Sequence, residues 1–109
     1  MRVQIAARRC DIPDAVRIRT EEQLEKLSKY DPHLSGAEVT FEIVKHRKKV
    51  EAVLKVHRDE PVVAGGEGEE FREALDLMVD RLAKILRRRR SLKTDHKAKN
   101  LAKADPLVE

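Results

Sequence analysis

The sequence predicts an α+β fold, a two-layer sandwich of order β-α-β-β-β-α in which a four-stranded sheet carries two helices on one face. Three observations predict it. Four short segments alternate apolar and polar residues with the period of a half-buried strand. Two longer segments repeat their apolar residues every three or four positions, as a helix with one buried stripe does. Proline, glycine and aspartate separate these segments, and a chain of 109 residues has room for one core.

The first strand is read from residues 2 to 7, where Val3, Ile5 and Ala7 alternate with Arg2, Gln4 and Ala6. A helix is expected to follow, with Asp11 as its cap, Pro13 in the first turn and Asp14 complementing its positive end. Val16, Thr20, Leu24 and Leu27 continue to Tyr30 as its buried stripe, and Asp31-Pro32 ends it because proline disfavours helical geometry in the residue before it. Val39, Phe41 and Ile43, then Val50, Ala52, Leu54 and Val56, read as two antiparallel strands. The connecting His46-Arg47-Lys48-Lys49 is expected as a basic hairpin tip, with His46 opposite Lys49 and His57 opposite Glu38. Residues 61–64 read as a short fourth strand, and Gly65-Gly66-Glu67-Gly68 as a turn of flexible glycines before the second helix. That helix is expected to run to about residue 93 on a core stripe of Phe71, Leu75, Met78, Leu82, Ile85 and Leu86. The expected organisation is thus one domain over residues 1–93 and a mobile basic tail over 94–109.

The charge is unevenly placed. The formal net charge is +4, yet residues 1–80 hold 14 basic and 17 acidic side chains, net −3, and residues 81–109 hold 10 and 3, net +7. A basic block on an acidic body is the electrostatic pattern of a polyanion binder. On a helical wheel with Phe71 at zero, the apolar stripe falls within about 60° of that direction, and Arg81, Lys84 and Arg88 lie at about 280°, 220° and 260°, a basic border to the buried face. Arg89 returns to about 0°. A guanidinium in the core direction implies that the helix has run past the sheet, leaving Arg87 to Arg90 as a projecting cationic end. One or two cations would only complement the helix dipole, but four consecutive arginines repel one another and call for a polyanionic partner. Arginine favours phosphate, which its planar fork grips through two hydrogen bonds.

Other chemistries are not expected. Aromatic residues make up 3% of the chain, and Phe41, Phe71 and Tyr30 fall on core stripes or a helix end, so recognition should run through phosphate and shape instead of base stacking. The glycine run lacks the Lys-Ser/Thr of a phosphate loop and carries Glu67, Glu69 and Glu70. His33, His46, His57 and His96 are scattered, and Cys10 stands alone as a buried or incidental thiol. No catalytic residue, metal site or cofactor is expected. No segment approaches the ~18 apolar residues of a membrane span, nor does the N-terminus resemble a signal peptide, so a cytoplasmic protein without a membrane partner is expected.

Residues 67–86, Glu67-Gly68-Glu69-Glu70-Phe71 through Leu82-Ala83-Lys84-Ile85-Leu86, followed by the Lys/Arg-rich end, resemble the second helix of the ribosome hibernation promoting factor family, also known as ribosome-associated inhibitors or sigma-54 modulation-type proteins. Val3-Gln4-Ile5, the helix start Ile12-Pro13-Asp14-Ala15-Val16-Arg17, Leu24-x-x-Leu27-x-x-Tyr30, the hairpin from Ile43-Val44-Lys45-His46 to Glu51-Ala52-Val53-Leu54, and the turn from Ala64 to Gly68 resemble it in the same order. The chain departs from the family at Arg72, where an aromatic is common, and near Arg19, where aliphatics are common. It is similar to the short forms, because it ends too soon to hold the dimerising C-terminal domain of the long ones.

The resemblance implies a fold similar to double-stranded RNA-binding domains, seated as a monomer on the small ribosomal subunit in the channel used by mRNA and tRNA. It would compete with both, and so block translation under stress. One type of short form works with a separate ribosome modulation factor that pairs ribosomes; another silences single ribosomes. The residues expected to grip ribosomal RNA are Arg81, Lys84, Arg87, Arg88, Arg89, Arg90 and Lys93, assisted by Arg47, Lys48 and Lys49 at the hairpin tip and by Lys26 and Lys29 on the first helix. Two alternatives stay open: a general structured-RNA binding module or RNA chaperone, and a protein that docks an acidic partner.

Overall fold

The structure, a computed structural model, describes the backbone of residues 1–102 and the side chains of residues 1–92. Its elements follow the expected order: β1 (Arg2–Arg8), α1 (Asp14–Leu27), β2 (Leu34–Val44), β3 (Arg47–Val56), β4 (Val62–Gly68) and α2 (Phe71–Ala102). The sheet order is β1-β2-β3-β4. β1 and β2 run parallel, so α1 must carry the chain back along the sheet between them, whereas β2–β3 and β3–β4 are antiparallel neighbours.

The core is the layer between sheet and helices. Leu24 and Leu27 from α1, Val39 and Phe41 from β2, Ala52 and Leu54 from β3, and Leu75, Met78, Leu82 and Leu86 from α2 are all buried. Both expected apolar stripes are therefore the ones used, and the rings of Phe41 and Phe71 meet edge to face at 5.5 Å. Thr20, the polar member of the α1 stripe, is also buried; its hydroxyl donates to the Val16 carbonyl at 2.7 Å, which satisfies it without a tertiary partner. Ile43 is 41% exposed, because the end of β2 runs beyond the cover of the helices.

Four local expectations are corrected. Asp11 does not cap α1: the N-cap is Pro13, with no side-chain cap hydrogen bond, and Asp14 alone supplies first-turn negative charge. The β2–β3 connection is Lys45-His46, not His46 to Lys49, since Val44 and Arg47 are already paired. Both turn residues have positive φ, 48° and 68°, the sign pattern of a type I′ turn, which normally calls on Asn-Gly. Consequently Glu42 faces Lys49 and Glu38 faces Val53, a register four residues from the expected one that keeps every side chain on its expected face.

The glycine run is strand, not turn. β4 continues through Gly68, and none of its glycines has positive φ. Gly66 is needed for proximity: a Cβ there would strike the Ala74 carbonyl and the Met78 amide nitrogen, so glycine lets α2 lie directly on β4. Finally, α2 does not end near residue 93. Residues 94–102 contain no glycine or proline and include Ala98, Leu101 and Ala102, so helical geometry continues to Ala102, into the stretch expected as a tail. Residues 103–109, the rest of that expected tail, lie outside the described residues.

Candidate nucleic-acid interface

The two helices lie side by side and run parallel. Arg19 of α1 pairs with Asp76 of α2 through two hydrogen bonds of 3.0 and 3.2 Å, and Tyr30, just past α1, meets Arg87 of α2. The second pair lies eleven residues further along both segments than the first, which fixes direction as well as register. α2 also runs antiparallel to β4: Gly66 abuts Ala74 and Met78, Arg81 donates to the Gly65 carbonyl at 2.7 Å, and Arg89 donates to the Glu60 carbonyl at 2.7 Å. The end of α1 and the arginine run of α2 thus share one end of the molecule with the β3–β4 turn. The hairpin tip Lys45-His46 is at the other.

This arrangement divides the expected basic residues. Arg87 and Arg90 project from the flank of α2 that faces α1, as Asp76 does three turns earlier. Lys26 joins them from α1 and Lys29 from the turn just past it, and all four side chains are exposed. The Lys29 ammonium lies 5.4 Å from the centroid of the Tyr30 ring and the Arg87 guanidinium 5.8 Å from it. Arg81, Lys84 and Arg88 occupy the opposite flank, toward the β4 edge, as the wheel predicts. Of these, Arg81 is anchored on Gly65 and Lys84 pairs with Asp80 at 3.3 Å; Arg88 is exposed and pairs with no carboxylate among the described residues. The Lys93 side chain lies outside the described residues.

Arg89 behaves differently from its expectation. It points toward the body, as its wheel position requires, but the body has not ended: the β3–β4 turn reaches under it. Its guanidinium donates to the carbonyls of Glu60 and Pro61, at 2.7 and 3.3 Å, and lies 3.7 Å from the Asp59 carboxylate. The projecting end therefore begins at Arg90.

Arg47, Lys48 and Lys49 belong to β3 and do not join this end. Arg47 and Lys49 stand on the open face of the sheet, Lys48 on the other, and Arg47 pairs with Glu67 at 3.3 Å. Across that open face Arg8, Glu42, Lys49 and Glu67 form one row of alternating charge, and Lys55 pairs with Glu38 at 2.9 Å. The open face is mixed in charge and carries no aromatic side chain, unlike the end where the helices meet.

The histidines offer little. His57 donates its backbone N–H to the His33 carbonyl at 2.8 Å, a proximity the expected register missed, while His33 itself pairs with Asp31; His46 is in the hairpin turn and the His96 side chain lies outside the described residues. Among the described residues, no group of three or more His, Cys, Asp or Glu could hold a metal ion. Cys10 is half-buried with its thiol 3.7 Å from the Phe41 carbonyl, and no helix among the described residues is long and apolar enough to cross a membrane. Tyr30 is the residue that sequence reasoning undervalued. Its signal was an aromatic directly after Lys29 at the end of a helical stripe.

Residues 3–93, from β1 through the arginine run, match the family described as sigma 54 modulation protein / S30EA ribosomal protein. The chain belongs to this family. A ribosome hibernation promoting factor from Azotobacter vinelandii is 34% identical over 86 residues, 79% of each chain. Among solved structures, a ribosomal subunit interface protein from Coxiella burnetii superposes with a TM-score of 0.77 at 25% identity, covering 84% of this chain and 99% of that one. The N-terminal domain of Protein Y from Thermus thermophilus gives 0.73 at 25% identity, covering 81% and 98%. The family match extends over every element that places the helix-end cations, including both segments that meet at Tyr30 and Arg87.

Proposed function

We propose that this protein is a ribosome hibernation factor of the cytoplasm that binds the small ribosomal subunit as a monomer, through ribosomal RNA phosphates, in the channel for mRNA and tRNA, and so blocks translation. The observation that carries this reading is the gathering of Lys26, Lys29, Arg87, Arg88 and Arg90 at one end of two parallel helices, with no carboxylate among the described residues paired to any of them. Membership of the family and the name of the Azotobacter vinelandii relative support it.

The mechanism needs no covalent step. A folded body with one cationic end and a mixed-charge sheet face would be oriented by phosphate contacts at that end, and occupancy alone excludes mRNA and tRNA. Arg81 and Lys84, already engaged by the Gly65 carbonyl and the Asp80 carboxylate, border the contact on the β4 flank, Arg89 holds the helix on the body, and Lys93 continues the helix line. Arg47, Lys48 and Lys49, at the far end, would meet a separate part of the subunit. Competition on purified small subunits tests the reading: prebound mRNA and tRNA should exclude the protein. Binding that merely titrates with total RNA would instead favour a general structured-RNA module.

A further inference from the structure

We infer that Tyr30 builds a phosphate-binding clamp, holding Lys29 and Arg87 on one aromatic ring so that both charges are in place before RNA arrives. This rests on the proposed RNA-binding function and names the site within the interface where two cations are held ready for backbone phosphates.

The argument begins with two like charges that share a support. Lys29 and Arg87 come from different segments 58 positions apart in the chain, yet each lies within 6 Å of the Tyr30 centroid, and so no more than about 11 Å from the other. Neither is paired with a carboxylate among the described residues. The ring's electron-rich face and the carbonyl end of α1 both favour positive charge there, which offsets the repulsion. What this cluster lacks is an anion.

The platform is also fixed. Tyr30 is half-buried against the core, and its N–H donates to the Leu27 carbonyl at 2.9 Å, which continues the chain tightly past the helix end. Three turns earlier, Arg19 and Asp76 tie α1 to α2 through two hydrogen bonds. Lys29 and Arg87 are flexible side chains, and a ring anchored between two braced helices removes part of the ordering cost of binding. Tyr30 is therefore a positioning residue and the two cations are the binding groups.

Binding of the full chain to purified small subunits, measured at several salt concentrations, tests the clamp. Tyr30→Leu should weaken binding by roughly tenfold and Tyr30→Phe, which keeps the ring, by less than about twofold. In an Arg87→Ala background the effect of Tyr30→Leu should shrink to about threefold, because only Lys29 remains on the ring. Lys29→Ala and Arg87→Ala should each lower the salt dependence by about one phosphate contact, a readout that does not depend on the Tyr30 variant folding. An equal effect of Tyr30→Leu in both backgrounds, or an unchanged salt slope in both cation variants, overturns the clamp while other cations still carry binding. Failure of the unaltered protein to bind small subunits overturns the proposed function and the clamp with it.

Discussion

Arg89 and Glu60, 29 residues apart in sequence, are joined by a 2.7 Å hydrogen bond from guanidinium to backbone carbonyl, so that one member of the four-arginine run is a structural bolt. With the Pro61 carbonyl and the Asp59 carboxylate, it closes the β3–β4 turn onto α2. The run therefore contains two kinds of arginine, and substitution should separate them.

Arg89→Ala is expected to lower folding stability by about 1–2 kcal/mol, less than a buried network would give because the guanidinium is partly exposed. Arg88→Ala, whose side chain is exposed, should change stability by less than about 0.5 kcal/mol. Denaturant titration measures both. In subunit binding the order should reverse, with Arg88→Ala the more damaging of the two under conditions where both variants are folded.

Gly66→Ala and Gly68→Ala should also differ. At Gly66 the added methyl would meet α2 backbone, which cannot yield without moving the helix, so a loss of about 2–3 kcal/mol is expected. At Gly68 it would meet the Glu73 side chain, which accepts the Glu69 N–H at 2.8 Å and can rotate away. The loss there should be about 1 kcal/mol, the value of that hydrogen bond. Comparable losses at the two positions in thermal unfolding would contradict the direct packing of α2 on β4.

The Arg19–Asp76 pair is solvent-exposed on both sides, at 31% and 46%, and its two-point geometry does not remove it from screening. A double-mutant cycle with Arg19→Ala and Asp76→Ala should give a coupling of about 0.5 kcal/mol, falling as salt rises from 0.05 to about 0.5 M. A coupling that ignores salt would mean that the pair acts through packing.

The alternation of Val50, Ala52, Leu54 and Val56 and the stripe from Phe71 to Leu86 made strands, helices and their buried faces legible, because burial imposes those periods directly. Ends and turns were not legible. Lys45-His46 takes a left-handed turn without Asn or Gly, so no residue type marks it. Gly65-Gly66-Glu67-Gly68 has the composition of a turn, and only the presence of α2 shows that at Gly66 the missing side chain, not the flexible backbone, is what matters. The wheel aimed Arg89 at the body correctly, but it could not show that turn carbonyls would be waiting there. Within the interface, each basic residue was visible as a charge, whereas Arg47, Arg81 and Arg89 are set apart as bolts by neighbours 16 to 29 positions away, and only Lys84 takes a partner four positions off.

That partition leads to the most demanding prediction, the salt dependence of subunit binding. If all twelve expected cations gripped phosphate, affinity would fall by roughly 10⁶ between 50 and 200 mM salt. Arg81 and Arg89 are instead held by backbone carbonyls, Arg47 and Lys84 by carboxylates, and Lys48 and Lys49 stand at the far end of the sheet. Among the described residues the free set at the helix ends is Lys26, Lys29, Arg87, Arg88 and Arg90, so a shallower fall of about 10²–10³ over that range is expected. Combining Arg87→Ala, Arg88→Ala and Arg90→Ala should reduce the slope of log affinity against log salt by two to three, with stability nearly unchanged. The same triple change made at Arg47, Lys48 and Lys49 should move the slope by less than about one. A larger shift from the β3 set than from the α2 set would place the grip on the wrong end of the molecule.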